Sequence, residues 1–374
     1  MNKEKKSLLA NDAVQTLLAS LLCIVVGLVI GYLVLLVINP SGAGAAITAI
    51  MKNFMTYPTQ AVANQYFGST LVKAAPLLMC SLSVLFAYKV GLFNIGASGQ
   101  YTVGAGVSLY LALAFHMPWY VCLPAAMICG GCLGAVAGAL KAYLNVNEVI
   151  ACIMLNWISL YSVNMLLNKV KESSTTYTIA LSGSYKSALL PSLGLGALFS
   201  NNKYVTIAIP LAILLAVGVW VLLDKTRFGY ELRATGLNKN AAKYAGMMEK
   251  RNTIITMFIS GCLSGLGAAF YYLSGIEQWS CAQTSVPGMG FNGIAAAFLG
   301  GLNPVGAVFS SYFIQHITSG GSYVDKTLYC SQISDLISAI IIYLCAFVLF
   351  FKICLNSYLR RRAEKAQAGK GGNA

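Results

Sequence analysis

The stretch TLLASLLCIVVGLVIGYLVLLVI, residues Thr16 to Ile38, decides the class of this protein. It holds 23 residues without a charge, and about 20 suffice for a helix to cross a hydrocarbon core roughly 30 Å thick. The residues before it are polar and no small-residue cleavage site follows a short core, so the run reads as an anchor and not as a signal peptide. Working outward, four more runs of spanning length lack charges: 119–140, 149–167, 204–223 and 253–273. Weaker candidates are 70–88, which contains Lys73, the short glycine-rich 100–116, and 332–354 with Asp335 near its start. Two apolar pieces, 291–299 and 305–317, are separated by Gly300-Gly301-Leu302-Asn303-Pro304. Each is too short to span comfortably, so the pair reads as a broken, re-entrant pair of half-helices. The expectation is an all-α integral membrane protein with about ten transmembrane helices.

Composition points the same way. Of 374 residues, 57% are hydrophobic and only 10% charged, against about 25% charged in a soluble chain, and the mean hydropathy is +0.70. A soluble enzyme is excluded. The formal charge of +14 does not indicate nucleic acid, because the basic residues sit between apolar runs and form no stripe with interleaved aromatics. They act instead as topology determinants, since positive charge is retained on the cytoplasmic face. With the N-terminus inside, 18 Lys and Arg fall inside and six outside, with Lys73 left within a run. The expected organisation is a cytoplasmic N-terminus (1–15), a transmembrane domain (16–354) in a surround of lipid, an external loop (168–203), a cytoplasmic loop (224–252) and a basic cytoplasmic tail (355–374). Four lysines in 168–203 oppose the rule, and the length and Ser/Thr/Gly content of that loop suggest a folded external segment.

Eleven cysteines lie mostly within apolar runs, as Cys23, Cys80, Cys122, Cys129 and Cys132 do, where they behave as small hydrophobes. Cys281 and Cys330 both fall in outer segments, and position along the chain does not establish whether their Cα atoms come within the roughly 7 Å a disulfide needs, so pairing stays open.

No catalytic constellation is present. The chain has two histidines, His116 and His316, and no H-E-x-x-H, G-x-S-x-G or G-x-x-x-x-G-K-[ST] motif. It does not hydrolyse ATP itself, and no metal or cofactor is expected. Glycines say more. Gly130, Gly134 and Gly138 fall on one helix face and Gly261 and Gly265 repeat the spacing, a pattern that lets helices approach closely in lipid. Packing inside the bundle is the expected use, ahead of a subunit interface.

The segment Gly91-Leu92-Phe93-Asn94-Ile95-Gly96-Ala97-Ser98-Gly99-Gln100 is polar and glycine-rich between two runs. Irregular backbone survives at membrane depth only where protein buries it or water lines it, so this segment is expected to enter the bundle centre. Asn94 and Gln100 could face a substrate pathway or merely satisfy the broken helix. The same alternatives apply to Asn292, Asn156 and Asn164. Gly290-Phe291-Asn292-Gly293-Ile294 echoes 91–96 in runs of opposite sense, as in the inverted repeats of transporters.

The sharpest element is the inner loop Phe228 to Gly246. Here Gly236 should break the chain, Asn238 should cap a short helix and Gly246 should end it in the left-handed conformation. Ala241, Ala242 and Ala245 would give that helix a small face suited to a groove on a cytoplasmic partner.

At this loop, together with 91–100 and 290–304, the sequence resembles permease subunits of ABC importers in the ribose, branched-chain amino acid and nucleoside superfamily. It is most similar to the simple-sugar and nucleoside branch, whose receptors are basic-membrane-protein-type lipoproteins. The pattern G-L-F-N-I-G-x-E-G-Q is matched by Gly91 to Gln100 with Ser98 in place of Glu, and E-L-R-A-x-G-x-N-x-x-A-A-x-Y-A-G is matched from Glu231 to Gly246. The resemblance implies a ten-span permease with a second permease subunit, an ABC ATPase, an external substrate-binding lipoprotein and nucleosides as typical cargo. It also makes Glu231, Arg233, Gly236, Asn238, Ala241, Ala242 and Gly246 the ATPase-coupling residues. The runner-up is an ion-coupled secondary transporter of a small neutral solute. Such carriers place carboxylates near the midplane, and no acid here falls mid-span.

Overall fold

A computed structural model describes residues 12–330, 332–345, 347, 350–351, 353–354 and 357. Most of the expected N-terminal segment and of the basic tail lies outside them. The described chain is helical, its only strand-like pairings being two isolated bridges, Lys171 with Thr178 and Tyr177 with Ser280.

The chain opens with α1 (Asp12–Ile38) and the short α2 (Ala43–Lys52). Four long helices follow: α3 (Gln60–Lys89), α4 (Ala97–Ala114), α5 (Trp119–Leu144) and α6 (Glu148–Leu167). After the single turn α7 (Leu195–Leu198) come α8 (Ala208–Lys225), α9 (Arg227–Leu237), α10 (Lys239–Tyr244) and α11 (Glu249–Tyr272). The chain then forms α12 (Met289–Leu299), α13 (Pro304–Gly320) and α14 (Ile333–Cys345). Helix starts follow local chemistry. Side-chain oxygens of Asn147, Thr226, Asn238 and Asn303 accept from the first-turn amides of α6, α9, α10 and α13, partners those amides cannot find within their own helix.

Six described helices, α1, α3, α5, α6, α8 and α11, are long and apolar enough to cross a membrane. The protein is therefore a multi-pass membrane protein. The expected span 70–88 is the inner part of a helix of 30 residues, about 45 Å at 1.5 Å per residue. Lys73 lies within α3 and is half-buried, and residues Gln60 to Ser69 extend the helix beyond the expected span.

Helix α11 is the hub, packed on α3, α4 and α5. The glycine spacing expected to serve packing does so inside the bundle. A Cβ on Gly130 would come within 2.7 Å of the Gly261 carbonyl oxygen and 2.9 Å of Gly265 Cα, so backbone touches backbone. Gly104 of α4 meets the same Gly265, which brings three helices to one point.

The 168–203 loop is folded, as its composition suggested. The Leu190 amide donates to the Leu273 carbonyl at 3.0 Å and the Thr178 amide to the Trp279 carbonyl at 3.0 Å. Trp279 is fully buried, its indole N–H donating to Asn164 Oδ1 at 2.9 Å. Cys281 and Cys330 are free thiols.

Gly261→Val should force α5 from α11 and destabilise the protein by roughly 1–3 kcal/mol or more, whereas Gly218→Ala, with open space around its Cβ position, should change little. Thermal unfolding of the purified protein in detergent checks the contrast; equal melting temperatures would show the glycine contact to be dispensable.

Candidate functional site

The chain breaks between α3 and α4. Gly91 adopts φ +76°, and the segment after it turns into the bundle, where Asn94 is completely buried. Its Nδ2 donates to Gln100 Oε1 at 2.8 Å, to Ser260 Oγ on α11 at 2.6 Å and to Ser83 Oγ on α3 at 3.1 Å. Its Oδ1 accepts from the Gly96 amide and from Gln100 Nε2, each at 3.1 Å. Asn156 of α6 serves the other half of the break, accepting from the Gly99 amide at 2.8 Å and donating to the Ile95 carbonyl at 3.1 Å. Asn94, Gln100 and Asn156 are thus brought together, and each satisfies the irregular backbone or its neighbours.

Asn292 differs. It sits on the first turns of α12, half-buried, with no side-chain hydrogen bond among the described residues. Its neighbours press on α4 and α3: a Cβ on Gly290 would lie 2.6 Å from Ser98 Cα in the first turn of α4, and one on Gly293 would lie 2.7 Å from Cys80 Cβ and 3.0 Å from the Ser81 amide of α3. The two glycine-rich Phe-Asn segments therefore meet at Ser98. Ser98 Oγ and Ser81 Oγ are both buried without a hydrogen-bond partner, and an unmade bond of this kind costs about 1–3 kcal/mol. These serines were missed from the sequence, where a single hydroxyl in an apolar helix carries no signal; the substitution at Ser98 in the quoted pattern was the one hint.

At the 224–252 end, Asn238 Oδ1 accepts from the Ala241 amide at 3.0 Å, and Gly246 takes φ +81° after α10. Two expectations change. Gly236 does not break the chain: it lies in the last turn of α9, and the interruption comes at Asn238, whose extended backbone starts the next helix. Gly236 is instead a contact point, since a Cβ there would meet the Val90 carbonyl and come within 2.9 Å of the Gly91 amide. Ala242 is only 4% exposed and packs within the chain. Leu237 at 89%, Tyr244 at 94%, Ala241 and Ala245 point outward together with Lys239, Asn240 and Lys243, so that Ala242 alone of α10 is turned inward.

Glu231 and Arg233 hold the loop to its flanking helices. Glu231 Oε1 accepts from Asn252 Nδ2 of α11 at 3.1 Å and lies 3.6 Å from Arg251 Nη2. Asn252 Nδ2 also donates to Thr235 Oγ1 at 2.9 Å, and Arg233 Nη1 donates to Asp224 Oδ1 at 3.1 Å.

Residues 66–346 match the family described as branched-chain amino acid transport system / permease component. The chain belongs to this permease family. The permease is 34% identical over 336 residues to the guanosine ABC transporter permease protein NupP of Bacillus subtilis, covering 87% of this chain and 92% of the relative. It is 32% identical over 320 residues to the nucleoside ABC transporter permease protein NupB of Lactococcus lactis, covering 82% and 86%. It is also 30% identical over 324 residues to the glucose ABC transporter permease protein TsgB13 of Haloferax volcanii, covering 82% of each. No solved structure matches it significantly.

For the permease, two asparagines on similar motifs should respond in opposite ways. Asn94→Leu leaves several buried groups unpaired at about 1–3 kcal/mol each and should abolish monodisperse protein, while Asn292→Leu should purify and melt like the parent. Size-exclusion profiles and melting curves of both variants decide the matter, and a well-folded Asn94→Leu would refute the bonding role assigned to Asn94.

Proposed function

We propose that this permease is the membrane subunit of an ATP-driven importer that passes nucleosides from an external substrate-binding lipoprotein to the cytoplasm. It works with a second, different permease chain and a separate ABC ATPase, and is not itself an enzyme. The observation that carries this reading is the near full-length similarity to a guanosine permease, 34% over 92% of that relative. The ion-coupled alternative is disfavoured, because no Asp, Glu, Lys or Arg is buried among the residues whose side chains are described.

Coupling runs through the 224–252 end. The outward face of α10, with Leu237, Ala241, Tyr244 and Ala245, docks on the ATPase, while Asn238 and Gly246 set the length of the helix. Displacement of α10 passes into α9, and from there along two routes. Gly236 abuts Val90 and Gly91, three residues before Asn94. Glu231 and Thr235 hold Asn252, two turns before Ser260, which bonds the same Asn94. Both routes end at the break between α3 and α4, next to the point where Gly290 meets Ser98. Ten spans with an inverted repeat suit this arrangement, one broken segment entering from each side. Asn292, with its unsatisfied amide, is the group we assign to the pathway; weak, replaceable hydrogen bonds release a neutral cargo better than a tight site would.

The decisive measurement is uptake of labelled guanosine by vesicles holding the complete transporter. Uptake should require ATP and ignore a protonophore, and Ala241→Trp or Tyr244→Ala should lower it at least roughly tenfold, a loss of about 1.4 kcal/mol, with the complex intact. Normal uptake in both variants would remove α10 as the docking face, and collapse by protonophore alone would restore the ion-coupled alternative.

The proposed orientation puts both termini and the 224–252 loop in the cytoplasm. In a cysteine-free background, a cysteine at Lys243 should resist an impermeant thiol reagent applied to intact cells and one at Lys186 should react. The reverse pattern would invert the topology.

A further inference from the structure

The 224–252 end carries a cavity whose wall shares Glu231, Arg233 and Gly246 with the coupling loop and adds cations that coupling does not use. It has a volume of about 740 Å³ and lies where α8 turns into α9 and where α10 turns into α11. That size suits a small ligand. Its wall bears four cations, Lys225, Arg227, Arg233 and Arg251, against two anions, Asp224 and Glu231.

The acids are already engaged. Asp224 holds Arg233 at 3.1 Å and Glu231 faces Arg251 at 3.6 Å. Lys225 and Arg227 have no carboxylate partner among the described residues, and the Lys225 ammonium sits 5.6 Å from the Trp220 ring centre. A second observation, independent of net charge, comes from the backbone. The eleven-residue α9 starts at Arg227 in the cavity wall, and the hydroxyl of its cap Thr226 donates to the Leu222 carbonyl at 2.6 Å and accepts from the Gly229 amide at 3.0 Å, leaving the Arg227 and Phe228 amides to other partners. The remaining first-turn amides and the helix dipole favour a negative group there.

From this convergence we infer that the cavity is a binding site for a phosphate group, held by Arg227 and Lys225 at the N-terminus of α9. Guanidinium forks match phosphate oxygens in pairs. The phosphate comes either from the headgroup of an anionic phospholipid or from a soluble phosphate compound, the chemistry being shared. Because Gly246, Met247 and Met248 form the opposite wall, a bound phosphate bridges the α8–α9 corner to the α10–α11 corner and restrains α10. The inference does not depend on the cargo carried.

The test uses the complete transporter purified in detergent or in nanodiscs. Inorganic phosphate is titrated in a thermal-shift assay, and phosphatidylglycerol is followed by native mass spectrometry after exchange from nanodiscs of phosphatidylcholine with and without it. One of these probes should bind saturably. Arg227→Gln and Lys225→Gln should each weaken it by about tenfold, Arg227→Lys should keep most of the affinity, and Lys250→Gln, a lysine beside the cavity but outside its wall, should change nothing. A response to phosphate without lipid identifies the soluble source, and retention of phosphatidylglycerol alone identifies the headgroup. If neither probe binds, or if Lys250→Gln weakens binding as much as Arg227→Gln, the site does not exist and the effect is diffuse charge. Because binding is read without transport, a complex that binds phosphate normally but fails to import nucleosides would count against the transport reading and leave this site standing.

Discussion

Hydrocarbon offers no hydrogen bonds, so every backbone group at membrane depth must find its partner within the protein. The chain departs from helix between α3 and α4, deep in the bundle, and the rest of the arrangement answers that departure. Asn94 and Asn156 supply bonds to the Gly96 and Gly99 amides and the Ile95 carbonyl, and Ser83, Ser260 and Gln100 hold Asn94 in place. A helix break that in water would be solvated is here tied to α3, α6 and α11 at once. Anything that moves α11 or the 90–91 turn must therefore move the break.

The second condition is close approach. Glycines at 104, 130, 261 and 265 bring the backbones of α4, α5 and α11 into contact, and Gly91 and Gly236 do the same between the break and the 224–252 loop. Lipid provides no hydrophobic drive between helices, so such packing supplies the cohesion. The Gly91–Gly236 contact also makes the path from α10 to the interior short and stiff, with backbone against backbone and no flexible side chain between them. The phosphate cavity lies beside this path, at the two corners that fix α10, where a bound anion would act on the same moving part.

Much was legible in the order of residues because it depends on local chemistry. Charge-free runs of spanning length, the caps at Asn238 and Gly246, the folded 168–203 loop and the permease family all follow from neighbours in the chain. The misreadings have a common cause. The start of α3 at Gln60 is missed because a hydropathy window cannot see a helix continuing through polar residues. Gly236 was taken for a breaker because a glycine near a helix end usually is one, and its contact with Val90 lies more than a hundred residues away.

What the sequence by itself determined is the membrane class, the helical runs, the punctuation of the loop and the family, since each rests on periodicity, length or a motif within a few turns. What only the tertiary structure decided is which way each residue faces. Ala241 and Ala242 are adjacent and chemically identical, yet one is exposed and the other buried, because the packing of α10 on α9 and α11 selects the face. Asn94 and Asn292 stand in similar motifs, yet one is saturated by four partner residues and the other by none among those described, because hydrogen-bond satisfaction is set by residues brought from distant helices.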